Sequence, residues 1–166
     1  TVTVNSISGS TDALLQNSTV NNAATGDKAN VQVLANDNTE IDSHVGSAAL
    51  GIGVDAGVAA GEASDTNVLS RNTQARILGK SNTERSTVNG NKVAAQAFSR
   101  QDITTNAIGV SASGGMYGAA SLAGTISVTK NSAGTLAQVE NINSLNNGLN
   151  VESDHYNQVH LYIVAF

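Results

Sequence analysis

The chain has 166 residues, a formal net charge of −5 and 13% charged residues, which is about half the usual share. Its Lys and Arg residues are few and spread along the sequence, so nucleic acid is excluded as an expected partner. The absence of Cys excludes disulfides and thiolate metal sites. Proline is also absent and aromatic residues make up 3%, a composition that fits stacked strands with a narrow interior.

The first segment, residues 1–35, is predicted to form strands separated by polar turns. Val2 and Val4 begin one strand, and a polar stretch covers residues 17–30. Val31 and Val33 then alternate with Gln32 and Leu34, which is the period-two pattern of a strand. A polar loop is predicted over residues 36–40.

A run of small residues follows over residues 47–63. Apolar side chains from Ile52 to Ala60 occupy one parity, and glycines such as Gly53, Gly57 and Gly61 occupy the other. This alternation predicts a strand with one glycine-lined face. The alternative is a membrane-inserting glycine-zipper helix, because the glycines recur every four residues. Interior glycine disfavours that helix by about 1 kcal/mol per residue.

The main feature of the sequence is an internal repeat of 62 residues. The triplets that begin at Thr11, Thr73 and Thr135 keep this interval twice in succession. The interval falls from 62 to 56 between Val93 and Leu149, so six residues are missing from polar sequence in the third copy. Deletions confined to loops are typical of a regular stack.

The repeat predicts an all-β, right-handed parallel β-helix. A 62-residue unit is expected to hold roughly three coils of about twenty residues, and the whole chain a rod of about 40 Å at 4.8 Å per coil. Asn is expected at corners because it tolerates the left-handed conformation. Residues 1–166 are predicted to be a single solenoid segment of about two and a half repeats, with registers that start near 11, 73 and 135, and to be an excerpt of a longer array.

Two groups of side chains could carry metal or acid–base chemistry. Asp37, Glu40, Asp42 and His44 form the densest group, but the second copy has Ser99, Asp102, Thr104 and Asn106 in their place. We therefore interpret the first group as a solvated loop. In the second group, Asp154, His155 and His160, the two histidines differ in parity and are expected to face opposite ways. The sequence predicts no catalytic, cofactor-binding or metal-binding residues.

The remaining signals are weak. Tyr117, Tyr156 and Tyr162 could contribute to a carbohydrate surface, although packing is the simpler interpretation. The basic residues of the middle copy, interpreted as a solvated positive face, are Arg71, Arg76, Lys80, Arg85, Lys92 and Arg100. Calcium-binding nonapeptides, a nucleophile elbow and a phosphate-binding glycine motif are all missing from the sequence.

The order of three stretches resembles the repeats of large bacterial exoproteins. A Gly/Ala run (residues 51–58) leads to a T-x-A-x-[IV] strand (residues 73–77) and then to NGNKVAAQA (residues 89–97). This order is similar to filamentous-haemagglutinin, leukotoxin-like and autotransporter adhesins. The resemblance implies secretion by a type V route, display outside the bacterial cell and a stalk role without carried-over catalytic residues.

The sequence and the resemblance together predict a structural or adhesive stalk segment of a secreted or cell-surface bacterial adhesin. It is expected to contact a host surface, matrix or sister fibres, without a cofactor, nucleic acid or membrane insertion. One alternative is a self-assembling extracellular filament subunit whose open coil ends stack end to end. Another is a carbohydrate-active enzyme on a β-helix, which would place two carboxylates on neighbouring coils.

Overall fold

A computed structural model describes residues 1–20, 29–145 and 148–166. These residues form ten strands and no helix. In chain order the strands are β1 (Val2–Gln16), β2 (Thr19–Val20), β3 (Val31–Gly53), β4 (Gly57–Leu78), β5 (Ser86–Asn89), β6 (Val93–Gly115), β7 (Ala119–Asn131), β8 (Gly134–Glu140), β9 (Ile142–Leu145) and β10 (Leu149–Ala165). Part of the polar stretch over residues 17–30, namely residues 21–28, lies outside the described residues.

The strands form three parallel sheets. The first long sheet contains β1, β4 and the pair β7 and β8, the second long sheet contains β3, β6 and β10, and the short sheet contains β2, β5 and β9. The chain visits the three sheets in the same order on each circuit. The predicted all-β parallel β-helix is therefore confirmed, whereas its right-handed winding stays a prediction.

The strand registers follow the 62-residue repeat. Thr11 pairs with Thr73, and Thr73 pairs with Thr135, so equivalent residues of successive copies lie directly above one another. One repeat is thus one coil, and the prediction of three coils per repeat is wrong. At about 3.3 Å per residue, a strand of 23 residues such as β3 spans roughly 75 Å. The molecule is a short stack of broad, flattened coils, so the predicted 40 Å rod of many small coils is also wrong.

The predicted loop over residues 36–40 is wrong as well. β3 runs without interruption from Val31 to Gly53, and its side chains alternate between buried and exposed. Inward-facing Asp37 and Thr39 belong to this alternation and are buried. Polar residues on the inner face, and not a break in the strand, explain the polar appearance of this stretch.

The small-residue run forms strands on either side of a tight turn. β3 ends at Gly53 and β4 begins at Gly57, so the continuous strand predicted there is interrupted, and the helical alternative is not what the structure contains. An equivalent turn follows β6, and the two turns stack through hydrogen bonds from the Met116 amide to the Val54 carbonyl (3.3 Å) and from the Tyr117 amide to the Asp55 carbonyl (3.0 Å). We call these two stacked turns the tip.

Inward-facing glycines allow the two long sheets to approach each other near the tip. A Cβ atom on Gly51 would overlap the carbonyl oxygen of Val58 in the facing sheet. Gly124 pairs with outward-facing Glu62, and a Cβ atom there would meet nothing within 4 Å. The glycine parity of the run is therefore the inner face, as a narrow interior requires, and the larger side chains Ile52 and Val58 lie outside.

Alanine at these two glycines should change stability in opposite directions. Gly51→Ala is expected to lower the free energy of unfolding by about 1–3 kcal/mol because backbone atoms must move apart. Gly124→Ala should raise it by about 0.4–1 kcal/mol, since the extra methyl restricts only the unfolded chain. Guanidinium unfolding of both variants measures the difference, and equal effects would contradict the close approach of the sheets.

The opposite end of each coil is the corner formed by the short sheet. Asn17 and Asn141 adopt positive φ angles of 48° and 51° there, which confirms the expected use of Asn at corners. Ile142 pairs with Ser86 at an interval of 56 residues, whereas Val139 pairs with Ile77 at 62. The six-residue deletion of the third coil thus falls at this corner, at the position where the middle coil has the excursion over residues 79–85.

The interior alternates between apolar and polar layers from corner to tip. Four apolar clusters are centred on Ile77 and Val93, on Ala75 and Ala97, on Ile103, and on Ala107. Buried polar side chains, among them Asp37 and Asp65, lie on the same inner faces. Because the coil is broad and thin, each apolar cluster is small, and polar contacts hold the sheets together between the clusters.

Candidate functional site

Nine outward-facing side chains form a regular array on the second long sheet. They come from β3, β6 and β10, whose in-register pairing places three residues of each strand side by side. Neighbours are about 6.7 Å apart along a strand and about 4.8 Å apart between strands. We call this surface the grid; its members are Asn36, Asn38 and Glu40, then Phe98, Arg100 and Asp102, then Asp154, Tyr156 and Gln158.

Two shallow grooves lie within the grid. The first, of about 380 Å³, lies between Glu40, Asp102 and Arg100 together with the two asparagines. The second, of about 350 Å³, lies between Phe98, Arg100, Asp154 and Tyr156. Asn36 and Arg100 line both grooves, so the two adjoin on the same face and together form a polar and aromatic depression across three coils.

Tyr156 is held in place on this surface by two neighbours. The guanidinium carbon of Arg100 lies 5.5 Å from the centre of the Tyr156 ring, a distance at which the cation and the ring attract each other. The Tyr156 hydroxyl donates a hydrogen bond of 2.8 Å to the side-chain oxygen of Gln158. About half of Tyr156 is nevertheless exposed (49%), so its ring is both ordered and accessible.

The carboxylates of the grid outnumber its one guanidinium. Glu40 and Asp102 are register partners on neighbouring coils, and Asp154 borders the second groove. The Oδ1 atom of Asp102 is buried and has no hydrogen-bond partner among the described residues. The surface therefore offers hydrogen-bond acceptors in excess and carries a negative charge.

The sequence suggested that Asp37 is part of a solvated loop. This interpretation is wrong, because the carboxylate of Asp37 faces the interior. It accepts a hydrogen bond of 2.5 Å from Nη2 of Arg71 and one of 3.1 Å from the Thr39 hydroxyl. Burial by itself raises the pKa of Asp37, but the hydrogen bonds and positive charge of Arg71, with the Thr39 hydroxyl, outweigh it and lower the pKa below the ordinary 3.8. This pair is structural and lies on the inner side of the grid.

The other members of the acidic group separate across the sheet. Asp42 and His44 face outward beside Glu40, and His44 Nε2 lies 3.1 Å from Asp42 Oδ1 in an exposed pair. In the third coil, His155 pairs with inward-facing Ser99 and His160 pairs with outward-facing Thr104, which confirms that the two histidines face opposite ways. Among the described residues, no group of three or more His, Asp or Glu side chains is placed to hold a metal ion.

The basic residues of the middle copy do not share one surface. Arg71 faces the interior, so its interpretation as a solvated residue is wrong, whereas Arg100 belongs to the grid. Lys80 lies at the corner, 2.8 Å from Glu84, and Arg85 donates to the Asn82 carbonyl in the same excursion. The tyrosines are also dispersed, since Tyr117 lies at the tip while Tyr156 and Tyr162 lie on the outer face of β10.

A second buried polar cluster lies nearer the tip and was missed in the sequence. Asp65 is fully buried and accepts hydrogen bonds from Ser43 (2.6 Å), Asn67 (2.5 Å) and Thr105 (3.1 Å). Asn5 extends the cluster by donating to Asn67 (2.9 Å). Its donors come from both long sheets, so this cluster ties the sheets together and leaves no carboxylate oxygen facing solvent.

The grid was also missed in the sequence, although a signal for it existed. Alignment at the 62-residue interval places Glu40 against Asp102, and outward parity then adds Phe98 and Arg100. Comparison with protein-family models, curated proteins and solved structures gives no match. The likeness to exoprotein repeats stays a prediction. Among the described residues there is no helix long and apolar enough to span a membrane.

Proposed function

We propose that the chain is a structural stalk segment of a secreted or cell-surface bacterial adhesin and that its outer faces supply adhesive contacts. The observation that supports the stalk is the in-register stacking of successive copies, with Thr11 on Thr73 and Thr73 on Thr135. Each coil satisfies the backbone hydrogen bonds of the next, so a stack of such coils resists bending and stretching. The proposal includes no catalytic step.

The extracellular location and a type V secretion route belong to the same proposal. They are supported by the resemblance of residues 51–58, 73–77 and 89–97 to exoprotein repeats. The chain has few charged residues and many Asn, Ser and Thr residues, and its exterior also exposes apolar side chains such as Leu50, Ile52 and Val54. Such an exterior is compatible with contact to a neutral surface. Host surface, matrix and sister fibres are the proposed partners.

A second candidate is a self-assembling filament subunit, and the inner face of β10 favours it. Val151 and Val159 are 45% and 41% exposed, whereas their register partners Ala95 and Ile103 in the middle coil are fully buried. Another coil in the same register, from the same chain or from a sister chain, would cover these side chains. An open strand edge beside an exposed apolar row is a surface on which further strands pair.

One bead experiment separates the two candidates. Beads coated with the purified chain are mixed with each other and with cultured host cells, and both clumping and attachment are counted. Attachment to cells without clumping supports the adhesive stalk. Clumping of beads that do not attach to cells favours the filament, and beads coated with an unrelated acidic protein are the control for both readings.

A further inference from the structure

We propose that the grid on the second long sheet binds neutral oligosaccharides. The inference deepens the adhesive part of the proposed function and rests on it. Five side-chain types meet there in a depression that spans three coils: carboxylate, carboxamide, guanidinium, phenol and phenyl. The ligand must therefore present both hydroxyl-rich edges and apolar faces within the area of a few sugar rings.

The hydrogen-bonding inventory of the grid matches a ligand with many hydroxyl groups. When ionised, the carboxylates of Glu40, Asp102 and Asp154 accept hydrogen bonds and do not donate them. The carboxamides of Asn36 and Asn38 both donate and accept. Sugar hydroxyls can donate to the first set and exchange hydrogen bonds with the second. Asp102 lines the first groove beside its register partner Glu40, so both carboxylates border the space that such a donor would enter.

The aromatic side chains supply the apolar part of the contact. Phe98 and Tyr156 both line the second groove, and each has a flat apolar surface on an otherwise polar face. A pyranose ring has an apolar face of C–H groups that can cover such a ring and remove both from water. Because Arg100 and Gln158 already hold Tyr156, little side-chain freedom is lost on binding.

The charge of the grid selects neutral ligands over acidic ones. Three carboxylates face one guanidinium, and the chain as a whole has a net charge of −5. A sialylated or sulfated glycan would bring further negative charge to this surface. The like charges would repel each other and weaken the binding of such a glycan. The same carboxylates would repel nucleic acid.

The two closest carboxylates raise the question of catalysis. Glu40 and Asp102 are neighbours in register, and paired carboxylates that flank a glycosidic bond are the catalytic groups of most glycoside hydrolases. Here both carboxylates face outward from adjacent strands of one sheet, and the described residues that line the first groove with them belong to the same two strands. Both would therefore approach a sugar from the same side. We therefore assign them to binding, and measurement of new reducing ends tests for cleavage.

The test is a glycan array probed with the fluorescently labelled chain. The array carries immobilised neutral oligosaccharides of two to six hexose or N-acetylhexosamine units, each printed beside its sialylated counterpart. We expect the chain to bind neutral members and to bind their sialylated counterparts at least tenfold more weakly. Absence of binding to every neutral member, or preference for the sialylated ones, would overturn the proposal.

Two tyrosine variants locate the binding surface. Tyr156→Ala should weaken binding at least tenfold, whereas Tyr156→Phe, which keeps the ring, should stay within about threefold of the wild type. Tyr117→Ala is the matched control, because Tyr117 is more exposed (82%) and lies at the tip. Far-ultraviolet circular dichroism establishes that all three variants are folded. Equal binding by Tyr156→Ala and Tyr117→Ala would show that the grid is not the site.

The failure of this inference differs from failure of the proposed function. A chain that attaches to host cells in the bead experiment but binds no neutral glycan would keep its adhesive function and lose this site. Incubation of bound oligosaccharides with the chain, followed by measurement of new reducing ends, tests for cleavage. Release of reducing ends would replace the binding assignment with a carbohydrate-active enzyme, whereas binding without release supports it.

Discussion

Replacement of Ile103 by alanine is expected to lower the free energy of unfolding by about 2–5 kcal/mol. Ile103 is fully buried and packs with Ile41 and Leu69, while Ile7 contacts the same cluster from the edge. Deletion of the buried methylene and methyl groups removes their transfer free energy and leaves a cavity between two sheets. The sheets are fixed by backbone hydrogen bonds to the coils above and below, so they cannot collapse into that cavity. This places the expected loss in the upper half of the range.

The same strand provides the control for this prediction. Ile108 lies five residues further along β6 and faces outward, with 46% of its surface exposed. Ile108→Ala should change the free energy of unfolding by less than about 0.5 kcal/mol. Chemical unfolding followed by circular dichroism compares the two variants with the wild type. Similar losses at the two positions would mean that the alternation of inward and outward side chains along β6 is not as described.

The repeat could be predicted from the sequence, but the size of the coil could not. The triplets at Thr11, Thr73 and Thr135 fixed the correct register because equivalent residues stack directly in a parallel helix. The expectation of three short coils came from polar stretches such as residues 36–40, which were interpreted as loops. A strand that runs through polar residues keeps its period of two, and only the facing sheet reveals that Asp37 is satisfied by Arg71.

The candidate site was harder to predict for a related reason. The sequence directed attention to residues that are close along the chain, such as Asp37, Glu40 and Asp42. In a strand, odd and even residues separate to opposite faces, so this group was divided. The grid instead combines residues that are 62 or 56 apart in sequence, and its aromatic and basic members do not recur between copies. A search for repeats identifies residues that recur between copies, so it does not identify these aromatic and basic side chains.

Replacement of Arg71 by methionine should remove about 3 kcal/mol from the free energy of unfolding at pH 7. The Asp37 side chain is 6% exposed and that of Arg71 is 21% exposed. Loss of the cation leaves a buried carboxylate without its partner, which typically costs about 3–5 kcal/mol. Partial access of water to the Arg71 position keeps the value at the lower end of that range.

The pH dependence of this variant should have the opposite sign to that of the wild type. In the wild type the pKa of Asp37 lies below 3.8. Its contribution to stability is therefore fully present above that value and is lost as the pH falls through the folded-state pKa. Without Arg71, burial becomes the dominant influence and raises the pKa of Asp37. Its contribution is then greatest below pH 3.8 and is lost as the pH rises through the new folded-state pKa.

Guanidinium unfolding at a series of pH values between 3 and 7 measures both curves. The difference in the free energy of unfolding between the wild type and Arg71→Met should widen as the pH rises. Addition of Asp37→Asn to the variant should recover part of the loss at pH 7, because no charge then remains to be buried. Arg85→Met is the control, since Arg85 is exposed in the excursion at the corner and donates a hydrogen bond to the Asn82 carbonyl. A difference that stays constant with pH would show that Asp37 is not ionised inside the coil. In that case the layer between the apolar clusters would be held by neutral hydrogen bonds, and the protonated carboxyl would be a donor to one of its present partners.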